Sequence, residues 1–191
     1  MNARLLAVAL AALTATAANA TSQTIGFEGL GFTEITSTYE GLSWTGGAGA
    51  NSWVVSPSSF GIFSGQDAHT GTEYAWSNGG TTLDLTEANG AKFDLDSMWT
   101  RGGGNGISFV ATGYANGVEV YSQSISEGAS YTLNTLNFDG IDKLELSNQT
   151  TNLLLDDITV STPSAVPEPG SLAMLFAGLG AIGVIARRRK I

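Results

Sequence analysis

Asn116-Gly117 lies between two short runs in which apolar and polar residues alternate, residues 107–115 and 118–122. Both residues of the dipeptide tolerate positive φ, so the pattern predicts a β-hairpin closed by a two-residue turn. A helix would need apolar residues three and four apart, and this stretch spaces them by two. Similar runs recur at 130–133, 141–147 and 153–160, and earlier at 23–28, 42–44, 53–55, 74–76, 82–85 and 91–95. Glycine, serine, threonine and asparagine fill the gaps, and neither a long amphipathic helix nor a fixed-period repeat interrupts the series. The whole stretch from 21 to 163 therefore predicts an all-β domain, a sandwich of two sheets.

The two ends follow other rules. Residues 1–20 read as a signal peptide: Arg4 supplies the positive start, residues 5–13 are apolar, and Ala18-Asn19-Ala20 fits small-x-small cleavage before Thr21. At the other end, residues 164–191 open on Val166-Pro167-Glu168-Pro169-Gly170, run through an uncharged segment at 171–186, and close on Arg187-Arg188-Arg189-Lys190. Pro167 and Pro169 lack backbone donors and hold the residues before them extended, which leaves the motif open to an enzyme. As a helix, 171–186 reaches roughly 24 Å against a hydrocarbon core of about 30 Å, short for a permanent span. The four cations stay on the cytoplasmic side.

This order of rigid break, apolar segment and basic cluster resembles the PEP-CTERM tail of exported bacterial proteins. The resemblance implies an exosortase-type processing enzyme as partner. It further implies a temporary stop in the inner membrane and cleavage near the Pro-Glu-Pro. The destination it implies is the cell surface or the extracellular polysaccharide of a Gram-negative bacterium. An ordinary C-terminal anchor is the plainer alternative.

Between the two signals the charge is one-sided. Residues 21–163 hold three cations, Lys92, Arg101 and Lys143, against sixteen carboxylates, a net charge of −13. Such a surface argues against nucleic acid, whose phosphates need cations, and suits solubility and cation binding. There is no cysteine, so no disulfide holds the exported domain.

Phe27-Glu28 early, Ser64-Gly65 with Asp67 in the middle, and Leu155-Asp156-Asp157-Ile158-Thr159-Val160 at the end stand in an order similar to that of jelly-roll β-sandwiches. Many carbohydrate-binding modules and galactose-binding-like domains are built this way. The chain departs from that pattern in the sparse segment 46–51. The resemblance implies a jelly-roll-like sandwich in which the first and last strands are neighbours. It also implies a structural calcium held by Glu28 and Asp157, completed by Asp67 and loop carbonyls, since calcium takes six to eight oxygens. On a regular strand Asp156 and Asp157 point to opposite faces, so only one of them serves unless a bulge intervenes. Surface carboxylates at a strand end are the competing reading.

Four tryptophans and five tyrosines supply the means to stack on sugar rings, although most such rings pack in cores. Trp99 is the best candidate for exposure, because the glycine-rich stretch 100–106 after it reads as a hairpin loop; Arg101 within that stretch completes a candidate glycan site. Catalysis finds little support. His69 is the single histidine and reads as a loop residue, and no Gly-x-Ser-x-Gly elbow surrounds a serine. The sequence thus predicts a non-enzymatic surface or matrix protein, with a carbohydrate-binding module as the alternative and a small glycoside hydrolase a distant third.

Overall fold

Alternation does become strand. The computed structural model describes residues 21–36, 38–46, 53–61, 67–77, 82–104, 106–147 and 149–162. The proposed signal peptide helix with Ala18 and Ala20, the Ser64-Gly65 pair, and the tail with Pro167, Glu168, Pro169, the 171–186 segment and Arg187, Arg188 and Arg189 lie outside those residues. Among the described residues thirteen strands follow in order: β1 Thr21–Ile25, β2 Thr33–Ile35, β3 Thr38–Tyr39, β4 Leu42–Gly46, β5 Trp53–Pro57, β6 Glu73–Ser77 and β7 Leu83–Glu87. Then come β8 Phe93–Gly102, β9 Ile107–Ala115, β10 Val118–Glu127, β11 Thr132–Ile141, β12 Lys143–Ser147 and β13 Leu153–Thr162. One 3-10 turn, Ser58–Phe60, follows β5.

The strands make two antiparallel sheets in a jelly-roll-like sandwich. The larger runs β11-β8-β13-β6-β5-β2, and the smaller runs β10-β9-β12-β7-β4-β3. The first strand pairs with the last, as the resemblance implied, with Thr21 opposite Thr162 and Ile25 opposite Ile158. The β9–β10 hairpin forms as the sequence requires: Asn116 and Gly117 take φ of 53° and 74°, the type I′ conformation that matches strand twist.

Inward-facing residues of both sheets meet in one core that includes Phe27, Leu42, Trp44, Trp53, Phe93, Phe109, Leu144 and Leu155. Trp44 of the smaller sheet meets Trp53 of the larger edge to face, with ring centroids 5.5 Å apart. Burial of this apolar area is the principal stabilising force in a domain that lacks disulfides.

Three strands run further than alternation alone indicates. β11 was legible only at its start. Beyond it, Asn137 and Gly140 take φ of 51° and 65°, and the pairing with β8 shifts register after Thr135 and again after Phe138. Each shift is a bulge that restores the apolar side chain to the core. β8 continues past Leu95 through Gly102, so Thr100, Arg101 and Gly102 belong to a strand and not to a loop. The residues after it carry the chain from the larger sheet to the smaller one, so this connection is no hairpin. The third is β13, which carries the bulge that matters most for the site.

Candidate functional site on the outer face of the larger sheet

Facing away from the core, the larger sheet carries a second apolar layer: Val54 of β5, Tyr74 and Trp76 of β6 and Leu154 of β13, with Ala68 and Tyr131 packed against them. Cross-strand register sets one row of this face. Arg101 lies opposite Leu154, Leu154 opposite Trp76, and Trp76 opposite Val54. The next row holds Leu133, Trp99 and Asp156. Period two puts Trp99 and Arg101 on the same face of β8.

Residues 67–72, just before β6, lie over this layer. Their anchor is a bulge at Asp157, which takes φ of 44° and shifts the β13–β8 register between Asp156 and Thr159. The extra residue brings Asp156 and Asp157 to the same side of the sheet, where regular alternation would have opposed them. Asp156 Oδ2 accepts the N–H groups of His69 at 2.9 Å and Thr70 at 3.1 Å. Asp157 Oδ2 pairs with His69 Nδ1 at 2.7 Å, and its Oδ1 accepts the Thr70 hydroxyl at 2.9 Å.

The imidazole so placed stacks on Trp99, with centroids 3.7 Å apart and planes 16° from parallel. Tyr131 meets the same imidazole edge on at 5.7 Å. Beyond it, the Arg101 guanidinium carbon lies 5.4 Å above the Tyr131 ring. The site is thus a ladder of rings ending in a cation: Trp99, His69, Tyr131, Arg101.

Its electrostatics follow from burial. Asp156 is only 1% exposed. Burial and then the neighbouring Asp157 charge push its carboxyl up to about 6, against the pull of the loop N–H groups. Burial likewise raises the Tyr131 phenol. The Tyr131 hydroxyl and Arg101 Nε are both buried without a hydrogen-bond partner.

Trp99 and Arg101 are therefore brought together, as the sequence suggested, but on a strand. Trp99 is no free platform, because His69 already covers one ring face. Glu28, Asp67 and Asp157 are not assembled as a calcium shell. Glu28 lies in the turn after β1 and spends Oε1 on the Thr72 and Glu73 N–H groups and Oε2 on the Thr72 hydroxyl. Asp67 is exposed. No group of three or more acidic or histidine side chains converges as a metal site among the described residues. N–H and O–H donors stand where a cation's charge would be needed, so these residues do not fit a calcium site as placed.

His69 is the residue that sequence reasoning undervalued. Its partners lie 88 positions away at Asp157 and across the face at Trp99, and no local signal marks either. Thr70 gives its hydroxyl to Asp157 and not to His69. Among the described residues no hydroxyl is hydrogen-bonded to the imidazole.

Residues 165–190 match the family model of the PEP-CTERM protein-sorting motif. The chain carries a PEP-CTERM sorting motif. No curated protein matches the chain. Among solved structures, a DUF4465 family protein from Bacteroides caccae is similar at 14% identity and a TM-score of 0.47, over 73% of this chain and 98% of that one. A family 29 carbohydrate-binding module is similar at 13% identity and a TM-score of 0.44, over 79% of this chain and 99% of the module. The family 11 carbohydrate-binding module of a Clostridium thermocellum cellulosomal cellulase reaches 15% identity and a TM-score of 0.35, over 68% of this chain and 92% of the module. The likeness is one of fold alone.

Proposed function

We propose that this is an exported, non-enzymatic surface or extracellular-matrix protein, delivered by an exosortase-type enzyme that acts on the Pro167-Glu168-Pro169 tail. The observation that carries this reading is the sorting motif at 165–190. The apolar segment holds the chain in the inner membrane until processing, with Arg187, Arg188 and Arg189 on the cytoplasmic side. Cleavage after Ala20 and near the Pro-Glu-Pro then frees the acidic sandwich at the cell surface. The test is intact mass and cell fractionation of the protein in its own cells, beside a variant with Pro167, Glu168 and Pro169 all replaced by alanine. A surface species lacking Arg187–Lys190, lost in the variant, supports the reading. A surface species that keeps the basic cluster overturns it.

A second reading, glycan binding by the sandwich, is favoured by the ring ladder. Trp99, His69, Tyr131 and Arg101 gather on one sheet face, and flat rings with a cation beside them suit the apolar faces and hydroxyls of pyranoses. The bound glycan would be the matrix in which the protein resides.

A further inference from the structure

Phe32 and Phe60 run against the rule that the rest of this fold obeys. Among the described residues Phe27, Phe93, Phe109 and Phe138 are buried, whereas Phe32 is 53% exposed and Phe60 61%. The two rings lie on each other, with centroids 5.0 Å apart and planes 10° from parallel. Stacking covers one face of each ring and leaves the rest in water. A single exposed apolar side chain needs no explanation, but a stacked pair makes a flat apolar patch.

Both rings stand on braced turns. The turn before Phe32 is fixed by Glu73, whose carboxylate accepts the N–H groups of Leu30 and Gly31. The 3-10 turn that ends on Phe60 is fixed at Ser58. Its N–H donates to the Thr72 carbonyl at 2.7 Å, and its hydroxyl accepts the Ala68 N–H at 2.8 Å. Rings held in this way lose little freedom when a ligand arrives, which is what a preformed site requires.

Polar groups stand beside the patch. β2 ends the larger sheet and β3 ends the smaller, and residues of both line a pocket of about 150 Å³. Its walls include Thr33, Glu34, Thr36 and Thr38 over Leu30 and Ile35, and Leu30 and Thr33 bracket Phe32 in the chain. The four polar residues are exposed, so a ligand reaches them. Three hydroxyls both donate and accept, the carboxylate accepts, and no cation belongs to the lining. Such a set suits sugar hydroxyls and repels anions, as does the domain's net charge of −13.

We propose that the Phe32–Phe60 pair and this pocket form a glycan site for a neutral, β-linked glucose chain. One sugar ring lies with its C–H face on the phenyl rings and turns its hydroxyls to Thr33, Glu34 and Thr36. A β-linked glucose ring carries its substituents equatorially, so both of its faces are C–H surfaces that match rings without a polar group. This rests on the glycan-binding reading and adds a site to it. β2 is four strands from β8, roughly 19 Å at the usual strand spacing, so the patch is separate from the Trp99 ladder.

The test is calorimetric titration of the full chain in a sugar-free detergent. Cellohexaose and laminarihexaose are the probes, each beside its form oxidised to uronate at C6. At least one neutral hexasaccharide is expected to bind, at least tenfold tighter than its acidic form. Phe32→Ala and Phe60→Ala should each weaken that binding about tenfold, and Thr36→Val severalfold. Thermal melting confirms folding; the rings are exposed, so the variants should melt near the wild type. Neutral binding that both phenylalanine variants retain overturns this site and leaves the glycan reading standing at Trp99. Equal binding of the acidic forms overturns the neutral class. A wild-type dimer that becomes a monomer in the phenylalanine variants, without sugar binding, makes the patch an interface between copies and also overturns the site. No binding by any of the four sugars overturns both this site and the glycan reading.

Discussion

Glu28 and Glu73 clasp each other's turns. Glu28 Oε1 accepts the N–H groups of Thr72 and Glu73 at 2.8 and 2.9 Å, while Glu73 Oε2 accepts those of Leu30 and Gly31 at 2.9 and 3.0 Å. The turn after β1 and the start of β6 are thereby tied by two acidic side chains. Gly71 is part of the fit. Its φ is +63°, and a Cβ there would stand 2.2 Å from Glu28 Oε1.

The clasp predicts coupled variants. Glu73 is buried, so Glu73→Ala strands two amides and should cost about 1–3 kcal/mol. Exposed Glu28 should cost less when replaced by alanine, and the double variant should cost less than the sum. Gly71→Ala adds a strained φ and displaces the Glu28 carboxylate, about 1–2 kcal/mol from the backbone alone. Urea denaturation of the four chains decides it; strictly additive losses at Glu28 and Glu73 would show that the turns do not act together. Burial opposes ionisation of Glu28, but the Glu73 and Thr72 N–H groups and the Thr72 hydroxyl prevail and hold its carboxyl below the ordinary range. A depressed carboxyl stabilises above its unfolded pKa, so this contribution fades as pH falls below about 4.

Asp156 predicts the opposite slope. Its carboxyl is pushed up to about 6 in the fold, against about 3.9 in an unfolded chain. Between those values the folded state keeps a proton that the unfolded state has lost, so stability falls as pH rises from about 4 to 6, then levels. At about 1.4 kcal/mol per unit the full effect is about 3 kcal/mol. Asp156→Asn keeps an oxygen for the His69 and Thr70 amides and removes the buried charge. It should therefore gain on the wild type by up to that amount between pH 4 and pH 7, read from urea midpoints. A difference that does not change with pH would mean that the carboxyl ionises normally.

How far the sequence could be read depended on the range of the contacts involved. β9, β10 and the turn between them were legible because period two and Asn116-Gly117 are local signals. The pairing of β1 with β13 was legible only through resemblance. Asn137, Gly140 and Asp157 were illegible as bulges: each breaks the alternation that defines a strand, and each is fixed by the partner strand's register. That is why β11 was read as ending early and why Asp156 and Asp157 were expected on opposite faces. Trp99 and Arg101 were expected beside and within a glycine-rich loop; β8 instead carries both, and their spacing of two puts them on one face. His69 required knowledge of side chains on β8, β13 and beside β11, which no window along the chain contains.

The hairpin gives a purely local test. Gly117 has φ of +74°, and nothing lies within 4 Å of the position a Cβ would take. Any loss in Gly117→Val therefore comes from the backbone alone, about 1–2 kcal/mol. Gly117→Asn should recover most of it, because asparagine tolerates the left-handed region. Thermal melts of the three chains should rank wild type, Asn, Val; a valine variant that melts with the wild type would contradict the type I′ turn.

Calcium provides the last prediction, because the resemblance to jelly-roll modules and the observed contacts disagree. Every carboxylate oxygen of Glu28 and Asp157 already has a partner among the Thr72, Glu73 and Thr70 donors and His69. Seating a cation would break these contacts to assemble six to eight oxygens around the ion. The expected result is that EDTA leaves the melting temperature of the full chain unchanged. Calcium should act no more strongly than magnesium at equal ionic strength, through general screening of a −13 domain. Glu28→Gln, Asp157→Asn and Glu87→Gln should then respond alike to both ions. A rise specific to calcium, lost in Glu28→Gln and Asp157→Asn but kept in Glu87→Gln, would instead mean that the loop rearranges around a cation. Stabilisation of RT ln(1 + [L]/Kd), about 2.7 kcal/mol at a hundredfold excess over Kd, would give its size.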